Sequence, residues 1–145
     1  MKKSYIFLLA SAVSLFTACS KKDDTTPTTN TNTELTATIN GAQQVPSNNS
    51  TATGTFTGSY NSGTKQLTYV VTYQGMTPTI AHIHTGAPGI KGSVAIPFAN
   101  LTSPITGTVT LAPEQADNIL NNGMYVNIHS SAFSDGEIRG DIKKK

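Results

Sequence analysis

Segment after segment of this 145-residue chain alternates apolar and polar side chains with a spacing of two. Leu35, Ala37 and Ile39 alternate with Thr36, Thr38 and Asn40; Val126 and Ile128 alternate with Tyr125, Asn127 and His129. Successive side chains of a strand point to opposite faces, so this period buries one face and leaves the other polar. A helix cannot gather such a pattern on one side. Eight strands are expected on this ground: Glu34–Asn40, Thr51–Tyr60, Gln66–Gln74, Thr79–His84, Val94–Phe98, Thr106–Leu111, Met124–Ser130 and Glu137–Ile142. Gln66–Gln74 carries β-branched and aromatic residues on both faces and is expected to be central and well covered. Turn signals separate the strands: Asn61-Ser62-Gly63-Thr64, Pro88-Gly89 as the centre of a type II turn, and an Asp135-Gly136 hairpin turn. One helix is expected from Pro113 to Asn121, with Pro113 at its first position and Asn122-Gly123 at its stop. Short strands at regular intervals predict an all-β, antiparallel Greek-key β-sandwich, immunoglobulin-like, with one short helix.

The N-terminus carries a different pattern. Lys2-Lys3 precede an apolar run from Tyr5 to Phe16, too short for a comfortable membrane span, and small residues follow up to Ala18. Cys19 is the sole cysteine, so no intramolecular disulfide can form. Leu15-Phe16-Thr17-Ala18-Cys19 resembles a bacterial lipobox, in which the cysteine is lipidated and becomes the first mature residue. Each buried methylene of a lipid chain contributes about 0.8 kcal/mol of membrane affinity, so several chains on one cysteine hold firmly. The Lys21-Lys22-Asp23-Asp24 cluster is similar to the surface-export signal of Bacteroidetes lipoproteins, and a solvated charge run is the alternative. Residues 25–33 form a Thr/Asn-rich tether with no apolar area to bury, expected to be disordered. The plan is a signal peptide at 1–18, a lipidated cysteine and tether at 19–33, and a β-domain at 34–145. This places the protein in the cell envelope, anchored in the outer membrane through Cys19 and open to surface exposure. Removing Lys2 and Lys3 leaves eight basic residues against eight acidic ones, with no basic patch except Lys143-Lys144-Lys145. A nucleic-acid partner is therefore not expected.

Chemistry concentrates in the three histidines. His82 and His84 share the polar side of one strand, and His129 lies on the polar side of another. Neutral imidazole binds copper or zinc well, and an i, i+2 pair on a strand can converge on one ion. A third histidine and a water complete an open four-coordinate site. The alternative is a structural network in which the rings bond carboxylates or carbonyls. Glu137 is the expected carboxylate, with Arg139 beside it on an outward face, free to pair with Glu137 or Asp141. Glu137 could also orient a metal-bound histidine, and Tyr125 and Asn127 are expected to pack and hydrogen-bond beside His129. The glycine-rich stretch Gly86–Gly92 is not a phosphate cradle, because a strand and no helix follows it. No Gly-x-Ser-x-Gly elbow is present, and a glycosidase pair drawn from Glu137, Asp135 and Asp141 would lack the tryptophans common in sugar sites.

Four stretches carry a family resemblance: Asn40-Gly41-Ala42-Gln43-Gln44-Val45-Pro46; Ala81-His82-Ile83-His84-Thr85-Gly86 with Gly89 and Gly92; Gly123-Met124-Tyr125-Val126-Asn127-Ile128-His129-Ser130; and Gly136-Glu137-Ile138-Arg139-Gly140-Asp141-Ile142. In this order they resemble the CHRD domain, the module first described as a repeat in chordin and also present in bacterial secreted proteins. The likeness runs from about Leu35 to Ile142. Gln44 departs from the glutamate usual before Val-Pro. The resemblance implies a β-sandwich and no known reaction. Two expectations follow: a lipid-anchored module of binding or structural type with an unidentified protein or ligand partner, and, as its alternative, a copper- or zinc-binding protein or metalloenzyme. The missing catalytic set makes an enzyme the lesser of these.

Overall fold

The computed structural model describes residues 31–145. The signal peptide, Cys19 and the tether as far as residue 30 lie outside the described residues. The strands are β1 (Asn32–Asn40), β2 (Thr53–Asn61), β3 (Gln66–Gln74), β4 (Ile80–Thr85), β5 (Val94–Pro97), β6 (Ile105–Thr110), β7 (Met124–His129), β8 (Ile138–Asp141) and the two-residue β9 (Lys143–Lys144). Among the described residues a single helix, α1 (Pro113–Leu120), lies between β6 and β7, and a 3₁₀ turn covers Gly41–Gln43. The first strand begins two residues earlier than the alternation indicates, because Asn32 and Thr33 pair with Asn61 and Tyr60.

All pairings are antiparallel, in the order β5-β4-β7-β8-β1-β2-β3-β6, with β9 alongside β1. The expectation of an all-β, sandwich-like fold with one short helix holds. β1, β2, β3 and β6 make one half, and β5, β4, β7 and β8 the other. The only ladder contact between halves is Asn40 against Arg139. The two halves therefore curl as one sheet over a shared core. Leu35, Ile39, Phe56, Leu67 and Val71 face it from the first half; Ala81, Ile83, Val126, Ile128 and Ile138 face it from the second. Tyr69 meets Phe98 across the core at 5.2 Å between ring centroids. Ala116 and Ile119 of α1 close one end. Ala112 N–H donates to the Gln115 side chain, Pro113 occupies the first turn, and Gly123 N–H closes the end on Asn118 O.

Three local expectations differ from the structure. β3 is covered on one face only: Leu67, Tyr69 and Val71 are buried, while Thr68, Val70 and Thr72 face water. Its outer face is a row of cross-strand pairs such as Thr68–Thr108 and Thr55–Thr72, so β-branching there serves the pleated backbone and not a second core. In the β2–β3 turn the positive φ falls on Lys65 and not on Asn61 or Gly63. Asp135-Gly136 is not a two-residue hairpin turn. It sits in a longer connection, residues 130–137, between β7 and β8, which is held by Ser130 N–H on Phe133 O and Glu137 N–H on Ile128 O.

Candidate metal centre

The site is built on the polar face of β4, β7 and β8. In the β4–β7 ladder His82 stands opposite Asn127, His84 opposite Tyr125, and Ile80 opposite His129. His129 is thus the diagonal neighbour of His82, two residues along from its direct partner. Ala81, Ile83, Val126 and Ile128 hold the opposite parity and are buried in the core, which fixes the register.

The three imidazoles converge. His82 lies edge-on between the other two, 5.0 Å from His84 and 5.1 Å from His129 by ring centroids. One ring nitrogen of each lies within 4.8 Å of the others. His84 Nε2 and His82 Nδ1 are 3.2 Å apart. Two nitrogens bound tetrahedrally to one zinc at 2.0–2.1 Å are separated by about 3.3 Å, so this pair already has ligand spacing. Nitrogens at the outer limit of 4.8 Å must close by about 1.5 Å to reach that spacing, a movement that rotation of the imidazole rings would have to supply.

Backbone carbonyls set the tautomers. His84 Nδ1 is 3.0 Å from Gly92 O, and His129 Nδ1 is 2.7 Å from Ser134 O. A carbonyl only accepts, so each Nδ1 carries the hydrogen and each neutral ring turns its Nε2 lone pair inward. His129 Nε2 is buried and has no hydrogen-bond partner. Burial first, and then the neighbouring His84 and His129, push the pKa of His82 down to about 4. Burial also lowers the pKa of His84; the Gly92 carbonyl acts against this, and His129 and Arg139 act with it. His82 is therefore neutral at neutral pH, as a ligand must be.

The outward face of the sequence reading is covered. Arg139 is 1% exposed, Tyr125 and Asn127 are 4%, and His82 is 6%, so these groups are interior though they point away from the apolar core. The cover is the loop 86–92. Arg139 Nη1 donates to Ile90 O at 3.0 Å and Nη2 to Ala87 O at 3.1 Å, while Nε and Nη2 reach Asp141 Oδ1 at 3.0 and 2.8 Å. The guanidinium carbon lies 3.6 Å from the centre of the Tyr125 ring. That ring stacks on His84 at 4.9 Å with 5° between planes, and the Tyr125 hydroxyl accepts from Gly92 N–H at 3.1 Å. Arg139, Tyr125 and the loop together deliver the Gly92 carbonyl to His84. Gly89 is the positive-φ corner of the expected type II turn, closed by Ile90 N–H on Ala87 O. Gly92 has no alternative residue, because a Cβ there would run into the Thr85 carbonyl.

The model of the CHRD domain matches residues 35–142. The chain belongs to the CHRD family. No curated protein and no solved structure matches it.

Within this CHRD domain the three histidines meet, but Tyr125 stacks on His84 and not on His129, and Asn127 stands opposite His82. Arg139 takes Asp141 as its partner and not Glu137. Glu137 stands apart: its Oε1 accepts from Ser50 Oγ at 2.6 Å, and its carbonyl accepts from Asn48 Nδ2 at 2.9 Å. It fastens the 47–50 loop and orients no imidazole; the two Nδ1 partners are the carbonyls of Gly92 and Ser134. Asn127 Nδ2 donates to Ile138 O and braces β7 on β8. Sequence reasoning missed both carbonyls, since every residue carries one and nothing in its side chain marks it. It also missed Gln44 and Lys91, which line a cleft of about 250 Å³ against His84 and His129.

Proposed function

We propose that this CHRD domain holds one copper or zinc ion on His82 Nδ1, His84 Nε2 and His129 Nε2, and that the chain carries it in the cell envelope, lipid-anchored at Cys19. One observation carries the reading: His129 Nε2 is buried and unpartnered, on a ring that offers a nitrogen within 4.8 Å of nitrogens of the other two. A buried polar atom left without a partner costs about 1–3 kcal/mol, a cost that a bound ion would offset. The competing reading, rings that only knit strands, has the 3.2 Å His82–His84 contact in its favour but leaves that nitrogen unexplained. Irving–Williams order favours Cu²⁺ among divalent ions for an all-imidazole set. Lipid anchoring rests on the lipobox resemblance around Cys19.

The test uses the full-length chain, purified in detergent without an affinity tag. Elemental analysis should find one copper or zinc per chain after loading and desalting. A ligand at a hundred times its Kd adds about 2.7 kcal/mol of stability, which thermal unfolding reads as a raised Tm. The His82→Ala, His84→Ala double variant should lose both signals while remaining folded. A wild-type chain that retains no ion and melts identically with and without Cu²⁺ and Zn²⁺ ends the proposal.

A further inference from the structure

We infer that the cleft beside the histidines is a binding site for a small monoanion, of carboxylate or similar type, that enters as the remaining ligand of the bound ion. This rests on the metal reading above and adds what the ion is open to.

The cleft touches His84 and His129 but not His82, which is buried between them. An ion held by the three nitrogens therefore has one accessible side, and that side is the cleft. Its volume of about 250 Å³ is room for roughly eight waters, or for a small oxyanion with a few waters around it. Three neutral imidazoles leave the full charge of a divalent ion uncompensated, and among the described residues no carboxylate joins the ligand cluster. The ion's charge is the largest in the site and dominates the choice of what binds there.

The wall supplies donors suited to such a ligand. Lys91 is half exposed, and its ammonium lies 3.9 Å from Asp135, beyond hydrogen-bond length, so it is free to swing toward the cleft. The Gln44 side chain is more than nine-tenths buried at the wall, and its amide nitrogen has no partner. Gln44 also borders the neighbouring cleft of Val45, Pro46 and Phe133, and a turn of its side chain would carry the nitrogen to an oxyanion that supplies the acceptor it lacks. The opposing charge in the wall is Asp135, whose side chain is 89% exposed and extends into solvent. Arg139 also borders the cleft, but its donors are taken by Ala87, Ile90 and Asp141, so it contributes structure and not a contact.

The full-length chain loaded with one equivalent of Cu²⁺ gives the readout. Azide, and then acetate as competitor, are titrated while the copper absorption and paramagnetic resonance spectra are followed. A saturable azide-to-copper charge-transfer band, displaced by acetate, is the expected result. Lys91→Ala should weaken azide about fivefold at low ionic strength and less at high salt, with copper stoichiometry unchanged. Gln44→Leu should weaken acetate severalfold through loss of the amide donor. Stoichiometric copper whose spectra ignore both anions overturns this inference alone. A band that forms equally well in both variants overturns the assignment to this cleft. Failure to take up copper or zinc at all overturns the metal reading and this one together.

Discussion

At the scale of the residue, His82 is held from both sides by its own kind. It is nearly buried, it touches both other imidazoles, and its pKa is pushed down to about 4 by burial and by its two histidine neighbours. Its folded pKa lies below the ordinary 6.5, so as pH falls the unfolded chain takes up this proton first. The stability from the neutral ring is present above pH 6.5 and is lost between 6.5 and about 4, at most about 3 kcal/mol. The metal-free chain should show a falling Tm across that window, and His82→Gln should flatten the fall. Equal slopes in the two proteins would mean that His82 takes its proton as readily in the fold as out of it. Arg139 shows the same logic from the other side. A charge 1% exposed survives because four hydrogen bonds and an aromatic face replace its water.

At the scale of the element, the loop 86–92 matters more than its exposed, glycine-rich sequence suggests. Thr85 N–H meets Ser93 O, Gly86 N–H meets Gly123 O, and Arg139 holds two carbonyls between them. The loop's product is the position of one acceptor, Gly92 O, on His84 Nδ1. Gly92→Ala drives a methyl into the Thr85 carbonyl and must displace the strand end or the loop. Overpacking of this kind costs about 1–3 kcal/mol. Losing the partner of a ligating histidine costs at least about tenfold in metal affinity. Denaturant unfolding and a copper competition titration read the two effects separately. Unchanged copper affinity in a folded Gly92→Ala chain would show that the carbonyl does not orient the ring. α1, by contrast, is legible from its own residues, because its start and stop signals act within one turn.

At the scale of the whole molecule, the two halves meet through one ladder contact and a common core. The three histidines stand on β4 and β7, so the other half supports them through the core and through the Asn40 contact with Arg139. Among the described residues no helix is long and apolar enough to cross a membrane. Attachment at Cys19 is proposed from the lipobox resemblance alone. Cells fed a labelled fatty acid should mark the wild-type chain and recover it with membranes; Cys19→Ser should lose the label, with the domain's melting temperature unchanged. Label retained in Cys19→Ser would place the lipid elsewhere, and a wild-type chain without label would dismiss it.

Alternation by two is a local property of the chain. It was enough to place the strands, to send Ala81, Ile83, Val126 and Ile128 inward, and to put all three histidines on the other side, because parity needs no knowledge of neighbours. The family motifs extended this to the sandwich. What parity leaves open is what lies above a polar face. The sequence therefore marked Arg139 as outward and Glu137 as a partner for histidine. The fold instead lays the 86–92 loop over Arg139 and turns Glu137 to Ser50. Strand register, loop cover and the two carbonyls that fix the imidazole tautomers come from contacts between residues far apart in the chain. Only the tertiary structure could decide them, because a backbone acceptor is identical at every position until the fold chooses which one a ring will meet.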